Sequence, residues 1–501
     1  MRPSPMRLRM PIAIYITVFA IALAIRLWHW GSLSCDWYGD SYHHWLISYL
    51  TMENSFAYSD FKTPGMNLVW LPLFHYLSAI GMYATGILDL TVPKALNIIA
   101  GSACCSLASA MAEDSFGSRI SGLASGLVLA FQPWFIGLNV LGLSENLSAF
   151  FMLLSIFFYI RGRLAASSFV AMLGMLTRYE NWLYAAILLA LGVLQRRFRA
   201  KDLALHILCM AAVFVGWSYW SYANTGSPLF WYESEVSMVQ NDVSWTIGVE
   251  RNYWDLFHYL WLLMVMTSGL FVAAILAPKD NFRSRAISYF LVSIFLAASL
   301  GYYFRANLGE ERFVISAVPL ISILSPWAIG DRFKGVDLRS GRGRALMGLA
   351  LILITVVPLA SQIWVFEKKC YAIGPEKRGG LWLRDNYRDG GIFCDSPTTI
   401  YFSKVDPRKF ASPDLGAEWA KLEGRGGRSP LEWLKANDIK YIVWMRTSYS
   451  NAPALFPDLG AGVDVDAGEV AFKLVYEDLG WELEYGAPKV FIYEVSWRSP
   501  P

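Results

Sequence analysis

From about Met10 to Phe366 the chain is a succession of long apolar runs broken by short polar stretches. A helix needs roughly twenty apolar residues to cross a bilayer. The runs predict spans over 10–30, 93–111, 119–137, 145–160, 164–176, 182–194, 203–222, 256–277, 286–303, 313–329 and 345–366. The stretch 66–88 is apolar too, but Pro72, His75 and Gly81 interrupt it, so that it either crosses or lies along the interface. The run from Leu164 to Leu194 breaks at Thr177-Arg178-Tyr179-Glu180-Asn181, and each half is short for a span. A dip with protein around it suits two such halves better than two lipid-facing helices do.

Beyond Phe366 the pattern changes to frequent charges and short β-like runs at Gly391–Cys394, Lys440–Met445 and Lys489–Val495. A helix over Pro430–Asn437, with Ser429 as cap and Pro430 as first residue, lies between them. About 135 residues are enough for a small core of their own. The expected architecture is therefore an α-helical polytopic membrane unit over 1–366, with a first outer loop at 31–92, followed by an α/β domain over 367–501.

Charge sets the orientation. If 66–88 lies in the interface, eleven crossings follow and the basic clusters all fall on one side: Arg2/Arg7/Arg9, Arg119, Arg161/Arg163, Arg196–Lys201, Lys279–Arg285 and Arg332–Arg344. The other side keeps only Lys62, Lys94, Arg178, Arg251, Arg305 and Arg312. Cytoplasmic loops carry the excess of Lys and Arg, so the N-terminus is expected in the cytoplasm and the C-terminal domain outside, in a multi-pass cell-membrane protein. With 55% hydrophobic residues, 17% charged residues and a net charge of +3, nothing points to nucleic acid. Of six cysteines, Cys104, Cys105 and Cys209 sit in apolar runs, while Cys370 and Cys394 are a candidate pair if their domain faces an oxidising compartment.

The chemistry collects on the outer side. Asp36, Asp40, Tyr42, His43, His44 and Lys62 lie in the first loop, Glu145 opens a span, and Arg178 and Glu180 stand in Thr-Arg-Tyr-Glu. Arg305, Glu310, Glu311 and Arg312 stand ahead of another span. A charge at mid-membrane costs about 2.5–3.5 kcal/mol even on the lenient insertion scale, so these groups are expected in one hydrated cavity facing outward. Lys and Arg suit a phosphate carried on a lipid. A carboxylate suits proton removal from an attacking hydroxyl. Together they point to glycosyl transfer from a lipid-phosphate donor.

Four motifs, in this order and on this side, resemble the GT-C glycosyltransferases, which include protein O-mannosyltransferases, lipid A aminoarabinose transferases and oligosaccharyltransferases. They are Gly39-Asp40-Ser41-Tyr42-His43, Lys62-Thr63-Pro64, Glu145 after the third span, and Glu311-Arg312-Phe313. Thr-Arg-Tyr-Glu further resembles an element of prokaryotic members, archaeal ones included. The resemblance implies Asp40 and Glu145 as catalytic carboxylates. It implies Lys62, Arg178, Glu180, Arg305, Glu311, Arg312, His43 and Tyr42 as donor-phosphate and substrate contacts. The partners implied are a polyprenyl (dolichyl) phosphate sugar donor, membrane lipid, and a glycan, lipid or protein acceptor. Two departures matter. Ser41 follows Asp40 where a second acid is familiar, so a divalent ion (Mg or Mn) at Asp36, Asp40 and His43 stays an open expectation. The Trp-Trp-Asp signature of oligosaccharyltransferases is absent, which argues for a single sugar. A transporter or flippase for a lipid-linked or polar solute is the rival class, though neither inverted repeats nor deep charges mark it.

Overall fold

The computed structural model describes residues 11–33, 36–59, 70–233, 253–277, 280–304, 309–332, 341–412, 430–445, 450–479 and 489–498. Lys62, Arg305 and Ser429 lie outside these residues. Helices fall where the apolar runs predict them: α1 (Ile12–Ser32), α4 (Thr91–Phe116), α5 (Arg119–Ala130), α6 (Pro133–Asn139), α7 (Glu145–Ile160), α8 (Leu164–Met175), α9 (Glu180–Leu194) and α10 (Ala200–Thr225). Between α1 and α4, α2 (Asp40–Glu53) and α3 (Leu73–Thr85) form in the stretch expected to be the first outer loop. After α10 come α11 (His258–Thr267), α12 (Leu270–Ile275), α13 (Phe282–Tyr303), α14 (Ala317–Arg332) and α15 (Gly341–Ala372).

Local sequence explains the breaks. Gly117 takes a left-handed φ of 65° to end α4, which only glycine adopts cheaply. Ser118 then caps α5 by accepting from the Ser121 N–H. Gln132 caps α6 with Pro133 as its first residue, and the α5–α6 pair bends by 58° there. Among the described residues, α1, α4, α10 and α13 are each long and apolar enough to cross a membrane, and α5 with α6 passes the same test as a bent pair. The helices α7, α8 and α9 are shorter, and the α8–α9 break falls at the polar tetrad the pattern marks. The chain is a multi-pass membrane protein.

The C-terminal part adds α16 (Gly374–Asn386), α17 (Pro397–Ser403) and α18 (Pro430–Ala436) around a six-stranded sheet. The strands are β1 (Gly391–Phe393), β2 (Phe410–Ala411), β3 (Ile439–Met445), β4 (Val465–Asp466), β5 (Val470–Asp478) and β6 (Val490–Trp497), in the spatial order β2-β1-β3-β6-β5-β4. The first three run parallel, and β6 pairs antiparallel with both β3 and β5. Alternation then sorts the side chains. Tyr441, Val443, Met445, Val490 and Ile492 face Tyr42, Trp45, Leu46 and Leu50 of α2 in one core, while Ile442, Trp444, Phe491 and Tyr493 face Leu434 and Phe456 in another. Three strands escaped the sequence pattern: β2 and β4 are two residues each, and β5 lies in a half-exposed stretch whose polar outer residues blur its period. The candidate Cys370–Cys394 pair does not form: Cys394 is a buried thiol in no disulfide, beside Ser396, while Cys370 is disulfide-bonded.

A buried polar web joins α1, α4, α6 and α7 inside this apolar body. Arg26 is fully buried, its Nε donates to Asn139 Oδ1 at 2.8 Å, and Asn139 Nδ2 donates to Asn146 Oδ1 at 2.6 Å. Gly101 leaves the room for it, since a Cβ there would stand 1.2 Å from Asn139 Oδ1. Gly101→Ala should therefore destabilise the protein by about 1–3 kcal/mol through overpacking, read as a lowered midpoint of thermal unfolding in detergent, whereas Gly216→Ala, with open space around it, should leave the midpoint unchanged.

Candidate active site

Three helices begin with a carboxylate: α2 with Asp40, α7 with Glu145 and α9 with Glu180. An anion at a helix N-terminus gains about 0.3–1 kcal/mol from the backbone dipole. Two arginines on loops stitch them together. Arg178, just ahead of α9, holds Glu180 with Nε and Nη2 at 2.8–3.2 Å and reaches Glu145 with Nη1 at 2.9 Å. Arg312 sits in the 3-10 turn Glu311–Val314, pairs with Asp40, and lies 3.7 Å from the same Glu145 oxygen. An unbroken ionic path thus runs Asp40, Arg312, Glu145, Arg178, Glu180.

A second path joins at Arg312, whose Nε donates to Glu310 at 2.6 Å. Lys369, near the end of α15, bonds Glu310 at 3.0 Å, lies 3.5 Å from Glu311, and stands 3.7 Å above the Tyr38 ring. Tyr38 donates its hydroxyl to Glu311. Burial pushes the Glu310 carboxyl up, but Arg312 and Lys369 outweigh it and hold the group well below the usual carboxylate range. Burial likewise opposes the Arg312 charge, and Glu310, Asp40 and Glu145 together keep it firmly protonated. Access differs sharply within the network. The Asp40 side chain is 32% exposed and the Glu145 side chain 1%, so Asp40 is the carboxylate a solute meets and Glu145 is the buried clasp between two arginines.

The structure therefore brings together Asp40, Glu145, Arg178, Glu180, Glu311 and Arg312 of the expected set. Tyr42 stands apart: it is buried on α2 with its ring 5.1 Å from that of Tyr401. His43 is half-buried with its ring edge toward Trp70. Lys62 and Arg305 lie outside the described residues. Asp36 and Asp40 do not share a partner, Asp36 being paired with Lys94 and Asp40 with Arg312. Among the described residues no three His, Cys, Asp or Glu side chains converge as a metal site. Sequence reasoning missed Lys369 and Tyr38. The first was legible as a cation at the end of the last apolar run; the second carried no signal beyond proximity to Asp40.

Proton positions in the adjoining histidine pair follow from acceptors that cannot donate. Tyr58 donates to the Trp70 carbonyl at 2.9 Å, and His75 Nδ1 lies 3.1 Å from the Leu71 carbonyl and 2.8 Å from the Tyr58 oxygen. His75 Nδ1 must then carry the proton, and His44 Nδ1 must donate to His75 Nε2 at 2.8 Å. Burial first, then His75, His43, Arg178 and Arg312, press the His44 pKa well below its ordinary value.

The sequence matches no family model and no curated protein. Its fold matches solved structures. ArnT from Cupriavidus metallidurans in the apo state superposes with a TM-score of 0.59 at 14% identity, over 95% of this chain and 97% of that one. The same protein bound to undecaprenyl phosphate gives 0.57 at 14% identity, over 98% of each. The Archaeoglobus fulgidus oligosaccharyltransferase in complex with Zn and sulfate gives 0.53 at 14% identity, over 86% of this chain and 67% of that one.

Two measurements check the site's energetics. Arg178→Met leaves Glu145 buried without its nearest cation and should cost about 3–5 kcal/mol of stability, a loss that denaturant titration in detergent would read. Because the His44 pKa is depressed by folding, the unfolded chain takes up the proton first, and stability should fall as pH drops below about 6.5. His44→Gln should flatten that slope in thermal melts across pH. With its helices, its C-terminal sheet and this superposition over nearly the whole length, the chain has the fold of the ArnT structures.

Proposed function

We propose that the protein is a membrane glycosyltransferase that moves a sugar from a polyprenyl (dolichyl) phosphate donor to an acceptor hydroxyl on the extracytoplasmic face. The observation that carries this reading is the ionic path from the exposed Asp40 through Arg312 and Glu145 to Arg178 and Glu180. The likeness to ArnT bound to undecaprenyl phosphate supports the donor class. The eleven-span topology, the cytoplasmic N-terminus and the division into a membrane unit (1–366) and an extracytoplasmic α/β domain (367–501) belong to the same proposal.

In this mechanism Asp40 takes the proton of the acceptor hydroxyl as that oxygen bonds to the anomeric carbon of the sugar. The bond from that carbon to the phosphate oxygen breaks, and its electron pair leaves with the lipid phosphate. Arg312 fixes the Asp40 carboxylate, and Glu145 fixes Arg312 and Arg178, so Glu145 acts as a positioning residue. Within the described network Asp36, Asp40, Glu145, Glu180, Glu310 and Glu311 outnumber Lys94, Arg178, Arg312 and Lys369. Those cations are already engaged by carboxylates, and we assign the leaving phosphate to Lys62 and Arg305, residue types that donate to developing negative charge.

General base catalysis contributes about 10²–10⁴-fold. Asp40→Asn keeps the bond to Arg312 and should lower sugar release from a polyprenyl-phosphate sugar at least about 100-fold, with folding intact. Transfer at the full rate would remove Asp40 from its role. Solute flux into proteoliposomes with no sugar release would favour the transporter reading instead.

A further inference from the structure

Two of the helices that open on a site carboxylate start without a side-chain cap. Gly39, ahead of α2, has no side chain to offer, and Ser144, ahead of α7, makes no capping bond and receives Arg178 Nη1 at 3.3 Å instead. Something else must fix where Asp40 and Glu145 stand, and one face of α4 does so. Lys94 and Asn97 lie three residues apart, hence on the same side of that helix, and both are buried. Lys94 pairs with Asp36, four residues ahead of Asp40. Asn97 Nδ2 donates to the Leu141 carbonyl at 2.7 Å and to the carbonyl of Leu143, two residues ahead of Glu145.

The two entry segments also meet each other. A Cβ on Gly142, in the loop between α6 and α7, would stand 3.4 Å from the Ser41 carbonyl in the first turn of α2. Burial pushes the Asp36 carboxyl up, while Lys94 and then the Gly142 N–H draw it back down, so Asp36 faces that loop as well as α4. The Asp36 N–H donates to the Tyr42 hydroxyl at 3.4 Å, which ties it to the same turn as Asp40. Stability alone does not explain an ion pair in this place. Desolvation of both charges offsets their attraction, and an apolar pair of similar volume often holds a fold as well or better. A charged contact adds register, since it is satisfied in one arrangement of the three segments.

We infer that Asp36 and Lys94 are positioning residues for the reaction: together with Asn97 they set the separation of Asp40 from Glu145, and so from the two arginines that Glu145 holds. The inference rests on the glycosyltransferase reading and gives a role in it to a pair that lies off the ionic path from Asp40 to Glu180. A displacement of about 1 Å at the reacting atoms can cost about 100-fold in rate. The pair therefore acts on turnover, through the place of Asp40, and not on donor binding.

The test uses the full-length protein in detergent and the double variant Asp36→Asn/Lys94→Met, in which neither charge is left buried alone. Its thermal midpoint should stay within about 3 °C of the parent's. For sugar release from a polyprenyl-phosphate sugar, kcat should fall at least about tenfold while the donor KM stays within about twofold. Hydrogen exchange should quicken together over 36–45 and 139–147 and stay unchanged along α10. Lys94→Met alone strands Asp36 and should lower the midpoint as well. A pair that serves stability only predicts activity that follows the midpoint, so full kcat in the double variant would overturn the inference. A midpoint that collapses in the double variant, or exchange that quickens in one of the two segments without the other, would overturn it too. Absence of sugar release by the parent protein would overturn the glycosyltransferase reading instead, and the exchange result would then decide by itself whether the pair joins the two segments.

Discussion

Burying ionised groups is the constraint on which this structure turns. Each charge taken from water costs several kcal/mol unless it is paired and hydrogen-bonded. Three carboxylates at the first residues of α2, α7 and α9 meet that demand in two ways, through the backbone dipole of the helix each begins and through two arginines shared among them. Glu145 is the pivot, because it is buried and in ionic contact with both arginines. Remove it and Arg178 and Arg312 have no common anchor.

The surrounding helices are placed to serve that arrangement. The web from Arg26 through Asn139 and Asn146 fixes the α6–α7 joint immediately ahead of Glu145, with Gly101 giving the clearance. On the other side, α15 delivers Lys369 to Glu310 and Glu311, and Tyr38 closes the space between Lys369 and Arg312 with its ring. A helix interior and a loop are thus joined into one rigid frame, which suits a site that must hold reacting atoms in register.

The helix α2 has two duties that pull in different directions. One stripe carries Asp40 and His44 to the ionic network, while Tyr42, Trp45, Leu46 and Leu50 are buried against the C-terminal sheet. Burying such side chains is worth roughly 1.5–3 kcal/mol each, so the C-terminal unit clamps the helix that presents the accessible carboxylate. Movement of that unit would be felt at Asp40, and a cleft lined by Trp45 and Tyr401 sits at the joint.

The helices of the membrane region were legible because apolar length alone marks them, and the strands β1, β3 and β6 because their apolar runs are short and bounded by turn residues. The gathering of Asp40, Glu145, Arg178, Glu180, Glu311 and Arg312 at one face was legible too, since a charge beside an apolar run has few places to go. Which acid pairs with which base was not. Asp36 with Lys94, Asp40 with Arg312, and Lys369 with Glu310 join residues up to 272 positions apart, and no periodicity encodes such a match. The same holds for Cys394, buried in the sheet core outside any disulfide, and for the burial that separates Glu145 from Asp40. Local sequence sets which segments are helical and which are apolar enough to enter a membrane, because hydration of each side chain is a local property. Only packing decides which charges meet, because that depends on how distant helices are stacked.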